Sequence, residues 1–582
     1  MAPVAQTDSS SSEYYQLVNS IKPDYITISE YIFLRIYQLG IRSVFGVPGD
    51  FNLNFLEHLY DVEGLDWVGC CNELNSAYAC DGYTKTCDKM SVMVTTYGVG
   101  ELSALAGVAG MYSEYSPMLH IVGTSALSMK NSNKRMHHLL SGSNTYGSPD
   151  HFVYEETATK YSCVQGSIRD DAMEACDTVD HVIREIHRHL RPGYLFLPCD
   201  LTEMRVPVSR LDEPLGSEYE PQNFVKAGTV VDTILQRVYA SQNMAVLVDY
   251  FTGRCKMTGA LGVLLDKLAG KTNVFDTFMG KGIVSEDVSG YVGTYQAGMD
   301  NEQLAGVLED ADLVLHLGAF DVEMNSGLFT SKLATERVIS MNIDSVVVCG
   351  EIYTDLNMRD VFEQLVARLE GERVAASKKY AVEPYLRSSG ANALNLVDLS
   401  NKLESTLTAD DVLIVDTGSF MFGMGTLKLH GARFVNQCLW AAIGFAIPAT
   451  LGACIAKREM GSNGRVITVE GDGAAEMTLQ ELASLVRYGL DPVVYILNND
   501  GYTIERVIKG PYRSYNDIAT NWNWTQMVTC FGGEKPGTRI SNRQDLAQLQ
   551  YQRGLHLVEL IVPKFDVPQS LSNMVIRSKS KS

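Results

Sequence analysis

The chain has 582 residues, 46% of them hydrophobic, enough to bury several cores and to form three or four domains. Its 48 lysines and arginines stand against 69 aspartates and glutamates, a net charge of −21 with no basic block, which argues against a nucleic-acid surface and for work on a small molecule. Twelve scattered cysteines without a CxxC pair indicate neither a zinc knuckle nor a disulfide framework; they fit buried thiols in a reducing compartment.

Residues 1–24 carry the serine run Ser9 to Ser12 and no apolar h-region, so they read as a disordered tail without a secretory signal. Thr27 and Glu30 form a capping box before a helix with Ile32, Phe33 and Ile36 inward, stopped by Gly40. Strand signals SVFGV, LDWVGCC, SVMVTT, MLHIVG and GYLFLP then alternate with helical stretches, giving one doubly wound domain over 25–200. The proline-bearing stretch 201–222 reads as a linker. A second α/β domain over 223–369 contains AVLVDY, NVFDT, LVLHLG and VISMNI. A polar linker at 370–393 leads to a third α/β domain over 394–568, and 569–582 reads as a C-terminal tail. Ala269-Gly270-Lys271-Thr272 is no phosphate loop, because that pattern's first glycine falls at Leu265. Gly98-Val99-Gly100 is no dinucleotide fingerprint, because the third glycine position is Ser103. Cys438 to Ala456 is uncharged for 19 residues, but Gly444, Pro448 and Gly452 interrupt it, so a buried helix is expected rather than a membrane span. The Ser-Lys-Ser end is a poor peroxisomal address, which leaves the cytoplasm as the expected location.

The most informative stretch is Val466 to Glu505. A β-rich run ends in Gly471-Asp472-Gly473, a helix face comes next with Leu479, Leu482, Ala483 and Val486, and a second β-rich run ends in Asn498-Asn499-Asp500-Gly501. In a strand, crossover helix, parallel strand unit both strand ends open on one sheet edge, so Asp472 and Asn499 can converge. A carboxylate, an amide oxygen and a backbone carbonyl make a small, hard, oxygen-only set that suits Mg2+, whose remaining positions go to water and ligand phosphates. Nearby glycines let backbone amides and the helix N-terminus approach those phosphates. A GDG alone is an ordinary turn; GDG with NNDG after the next strand is not.

This pattern resembles the thiamine-diphosphate enzyme family, and the resemblance covers nearly the whole chain beyond the tail. It implies three doubly wound open-sheet α/β domains: pyrimidine-binding, middle and diphosphate-binding. Carried onto this sequence, it makes Asp472, Asn499 and the carbonyl of Gly501 magnesium ligands, with Gly473, Ala474 and Tyr502 beside the cofactor. It puts Glu73, in CCNELNSAYACDGY, on the pyrimidine ring nitrogen, the carbonyl of Ala441 on the exocyclic amine, and Ile443 between the two rings as a wedge. By itself Glu73 is a dipole-friendly acid at a helix start and Ile443 an ordinary core residue. Asp50 in FGVPGDFNL, the pair His137-His138 in KRMHHLL, and Glu505 in NNDGYTIE match the 2-oxo acid decarboxylase branch. Asp50 with the histidines could relay a proton, and Glu505 could act as an acid beside the substrate carboxylate. Taken singly they read as a turn residue, a polar helix face and a helix-start acid.

The runs TGSFMF, EGDGAAEMT and GPYRSYND resemble phenylpyruvate or broad 2-oxo acid decarboxylases more than pyruvate decarboxylase, and Thr417 and Ser419 are expected to touch cofactor or substrate. Phe275, Met421 and Ile508 are pocket candidates. Cys255 is displaced from the cysteine position that yeast-type pyruvate decarboxylases link to substrate activation. The resemblance implies active sites shared between chains, hence a homodimer or homotetramer. Pyruvate decarboxylation, an acetolactate-forming carboligase, and a catalytically silent protein on the same fold are the alternatives.

Overall fold

The computed structural model describes residues 24–140, 148–216, 219, 223–299, 301–380, 393–519, 522–551 and 553–581. The tail expected over 1–24 lies, except for Asp24, outside them. The chain divides into two compact units.

The first unit draws on Met1–Gly69, Ser91–Leu105 and Met118–Glu218. Its parallel six-stranded sheet runs Asp66–Gly69, Ser43–Gly46, Ser91–Thr96, Met118–Thr124, Gly193–Pro198, Val164–Ser167. Every residue of Met118–Thr124 is buried, as a parallel strand covered on both faces requires. The edge strand Val164–Ser167 gives no signal in sequence, because VQGS has neither an apolar run nor a β-rich composition. The capping box forms: Glu30 N–H donates to Thr27 Oγ1 and Thr27 N–H to Glu30 Oε2, opening the helix Ile28–Gln38 with Ile32, Phe33 and Ile36 fully buried. Part of the expected linker 201–222 is structured instead, since Arg205–Pro207 pairs antiparallel with Tyr25–Thr27.

The second unit, Cys70–Met90, Ala106–Pro117 and Tyr219–Ser582, holds two sheets. One is seven-stranded, in the order Tyr291–Tyr295, Asn273–Thr277, Met244–Val248, Leu313–Leu317, Val338–Met341, Val346–Val348, Glu351–Tyr353, with its last two pairings antiparallel. The other runs Arg433–Val435, Val412–Val415, Val466–Gly471, Val493–Asn498, His556–Ile561, Thr538–Ile540 and is wholly parallel. Numbered along the chain, its strands lie in the order two, one, three, four, six, five, the same order as in the first unit's sheet. Between strands one and three the crossovers leave in opposite directions, which opens a crevice beyond their carboxyl ends.

Three differences from expectation arise in this unit. The uncharged stretch from Cys438 becomes helical only at Ala446, in Ala446–Glu459, because Ala441 (φ +56°) and Gly444 (φ +83°) adopt left-handed backbone that an α-helix cannot contain. The helix after Gly471 is Asp472–Thr478, then a 3-10 turn Leu479–Glu481, then Leu482–Arg487. The tighter turn shifts the buried face, so Leu479, Leu482 and Leu485 are buried while Ala483 and Val486 are partly exposed. The expected C-terminal tail is a helix, Gln569–Lys581, with Leu571 and Val575 buried.

Ala446–Glu459 packs on the helix Glu73–Cys87 backbone to backbone. A Cβ at Gly452 would lie 1.8 Å from the Ala79 carbonyl oxygen, and one at Gly82 2.2 Å from that of Ala449. Among the described residues no helix is long and apolar enough to cross a membrane.

Candidate active site

At the crevice of the third sheet the chain leaves strand one as Asp416-Thr417-Gly418-Ser419 and strand three as Asp472-Gly473-Ala474. A cavity of about 270 Å³ lies there. Its lining includes Thr417, Ser419, Met421, Ala441, Ile443, Asp472, Gly473, Ala474, Asn499, Gly501, Tyr502 and Glu505, which are most of the positions singled out in sequence. Glu505 is exposed near the start of the helix Thr503–Ile508.

Asp472 is buried, and its carboxylate accepts from the Gly473 N–H at 2.8 Å and the Gly501 N–H at 3.2 Å. Burial pushes its pKa up to about 6, against the pull of those N–H groups. With its side-chain oxygen turned inward, Asn499 faces the Gly501 carbonyl at 2.7 Å and Asp472 Oδ1 at 3.1 Å. Three acceptors so close repel one another unless the amide rotates to donate or a cation sits among them. A carboxylate, an amide oxygen and a carbonyl therefore fit a small hard cation such as Mg2+. Gly473 serves packing as well as phosphate access, because a Cβ there would lie 2.6 Å from the Tyr502 ring.

The segment carrying Ala441 and Ile443 is held by acids. Asp416 accepts from the N–H groups of Gly444 and Ala446, and Glu470 from that of Ile447. Burial raises both carboxyl pKa values, that of Asp416 to about 7, and the charge of Asp416 adds to the rise at Glu470.

In the first unit Asp50, His137 and His138 meet at the carboxyl edge of its sheet. His137 Nε2 lies 2.7 Å and His138 Nε2 4.0 Å from the Asp50 carboxylate, and their three ligand atoms fall within 4.8 Å of one another. The histidines sit in a turn rather than on a helix face, with His138 at φ +69°. Tyr97 donates from its hydroxyl to the His137 carbonyl at 2.5 Å and Tyr154 to that of His138 at 2.6 Å.

Some candidates lie elsewhere. Phe275 is fully buried in the core of the seven-stranded sheet with Leu247, Tyr295 and Leu308, so it does not line the cavity. Ile508 is 48% exposed, at the outer end of its helix. Glu73 opens its helix and does not line the cavity of its own chain. Cys255 is buried, and its thiol is pushed up to about 11, which disfavours the thiolate at neutral pH. The cavity adds Glu323, Met324, Phe420, Phe422 and Met574. Met574 had a signal in the spacing Leu571, Met574, Val575; the others reach the site through tertiary packing.

Comparison with known families agrees with this geometry. Residues 26–144, 231–369 and 416–552 match the thiamine pyrophosphate enzyme N-terminal TPP binding domain, central domain and C-terminal TPP binding domain, respectively. The chain belongs to the thiamine pyrophosphate enzyme family. It is 35% identical to pyruvate decarboxylase isozyme 3 of Saccharomyces cerevisiae, over 94% of this chain and 97% of that one. It is 33% identical to the transaminated amino acid decarboxylase of the same yeast, over 99% and 98%, and 34% identical to a pyruvate decarboxylase of Aspergillus fumigatus, over 94% and 96%. Within the family it is a 2-oxo acid decarboxylase, a carbon–carbon lyase that uses thiamine diphosphate.

Proposed function

We propose that the protein decarboxylates aromatic or otherwise bulky 2-oxo acids, phenylpyruvate among them, to the aldehyde and carbon dioxide, in the cytoplasm and as a step of amino-acid catabolism of the Ehrlich type. The observation that carries the substrate class is the cavity wall: Met324, Met421 and Met574 with Phe420 and Phe422 offer an apolar, adaptable surface suited to an aromatic ring. Thiamine diphosphate, when bound, would supply the carbon nucleophile and the electron sink that decarboxylation needs.

The chain's own groups do the rest. Asp472, Asn499 and the Gly501 carbonyl hold Mg2+, and Thr417 and Ser419 line the same cavity. Glu73 holds a proton toward the pyrimidine ring, Asp50 with His137 and His138 passes the proton that completes the aldehyde, and Glu505 faces the substrate carboxylate as an acid. Glu73 stands outside the cavity of its own chain, which supports a site completed by a second copy and hence a homodimer or homotetramer.

The substrate reading is tested by kcat/KM for phenylpyruvate against pyruvate, expected to favour phenylpyruvate by at least about tenfold; a ratio favouring pyruvate gives the fermentative alternative. Sedimentation velocity at assay concentration tests the assembly, and a fully active monomer would overturn it.

A further inference from the structure

Ala441 and Ile443 sit on a loop, so their position depends on what holds the loop's backbone. Its early part is tied at Leu439 and Trp440, whose N–H groups donate to Glu114 at 2.7 and 3.1 Å, and at Ala441, whose N–H donates to the Gln437 carbonyl at 2.8 Å. Its later part runs into the helix Ala446–Glu459, whose N-cap residue Phe445 supplies no side-chain cap. The orphan N–H groups are instead met by two carboxyls from the neighbouring strands Val412–Val415 and Val466–Gly471. Asp416 Oδ1 accepts from Gly444 at 3.2 Å and Oδ2 from Ala446 at 2.8 Å, while Glu470 Oε2 accepts from Ile447 at 2.8 Å. The Gly444 carbonyl accepts from Thr478 Oγ1 at 2.7 Å, closing the loop against the helix that begins at Asp472.

Glu470 is the unexplained member. It is 1% exposed, it does not line the cavity, and its Oε1 has no hydrogen-bond partner among the described residues. An acid buried with a single hydrogen bond is costly unless what it holds matters. Two residues on, just past the end of the same strand, stands Asp472, so one strand end carries both the metal carboxylate and the anchor of the Ala441–Ile443 loop.

We infer that Glu470 and Asp416 are paired positioning residues, which cap the Ala446–Glu459 helix from two strands and so hold Ala441 and Ile443 at a set distance from the Asp472 clamp. The inference rests on the reading of Ala441 and Ile443 as cofactor contacts. Removing the Glu470 acceptor frees the Ile447 N–H, unwinds the first turn of the helix and lets the loop drift, while Asp472 and Asn499 keep their places.

The test compares full-length E470M, which keeps volume without an acceptor, with E470Q, which keeps the acceptor oxygen. Amide hydrogen exchange is followed over 439–447, with the strand 493–498 as internal control, and the Kd for thiamine diphosphate in excess Mg2+ is read by tryptophan fluorescence. E470M is expected to speed exchange at Gly444 to Ile447 by about tenfold or more, leave 493–498 unchanged, and weaken thiamine diphosphate by about tenfold, with E470Q restoring both. Unchanged exchange in E470M, or an E470Q as defective as E470M, overturns the inference. Faster exchange with an unchanged Kd instead removes Ala441 and Ile443 from the cofactor. Should E470M not fold, D416N serves: one acceptor oxygen remains, so exchange rises at one of Gly444 and Ala446, and no rise at either overturns the pairing.

Discussion

His137 Nε2 lies 2.7 Å from Asp50 Oδ2, and the imidazole rests against the Phe51 ring with centroids 4.8 Å apart. A carboxylate at that distance orients the ring, as a proton carrier needs. Asp50→Asn and His137→Gln are each expected to lower kcat by roughly 10²- to 10⁴-fold, the usual span for a lost acid–base group. Melting temperatures should stay close to the parent's, because both side chains are exposed.

The facing oxygens of Asp472, Asn499 and Gly501 predict a metal dependence. Treatment with EDTA should abolish carbon dioxide release, and Mg2+ with thiamine diphosphate should restore it. At a hundredfold excess over Kd the ligand should add about 2.7 kcal/mol to unfolding stability, seen as a raised melting temperature. Asp472→Asn removes the single charge of the set and should erase that rise.

Glu73→Gln is expected to lose nearly all turnover with the fold intact. The start of its helix is capped by Asn72, whose side chain accepts from the Asn75 N–H at 2.8 Å, and Asn75 in turn donates to Glu481 at 2.8 Å. Neither bond involves Glu73. Circular dichroism and the decarboxylation rate check the two halves of this expectation, and appreciable activity would remove Glu73 from its assigned role.

Glu101 predicts a pH effect on stability. It is 1% exposed, and burial pushes its pKa up to about 8, opposed by the Gly98 N–H and by Lys130, which pairs with Glu155 at 3.0 Å. Because the folded state holds this proton more tightly than the unfolded one, its contribution is fully present below the ordinary carboxyl range and is lost as pH rises toward 8. The decline should approach ~1.4 kcal/mol per pH unit in that window. In Glu101→Gln this part of the slope should vanish in urea melts taken from pH 5 to 9, leaving the variant more stable than the parent at the alkaline end.

Strand runs such as SVMVTT, GYLFLP and NVFDT were readable because each pairs a β-branched or aromatic composition with a length that fits a strand and not a helix. The meeting of Asp472 with Asn499 was readable for a related reason: each sits directly after a strand, and parallel strands deliver their ends to one edge. Phe275 was misplaced because a large apolar residue looks alike in a core and in a pocket; only the packing of Leu247, Tyr295 and Leu308 around it decided. Phe422 reached the cavity through a contact no local pattern encodes, in which Ser570 Oγ donates to the Phe422 carbonyl at 2.6 Å.

By itself, then, the order of residues determined the α/β layers, the family and the convergence of Asp472 with Asn499, since all three depend on short periodic runs and on the residues at their carboxyl ends. The tertiary structure alone decided which face of the 472–487 helical stretch is inward, where the Ala446 helix begins, and that Asp416 and Glu470 anchor its first turn. Those outcomes depend on left-handed backbone at Ala441 and Gly444 and on acids arriving from strands far away in the chain, and neither leaves a period to read.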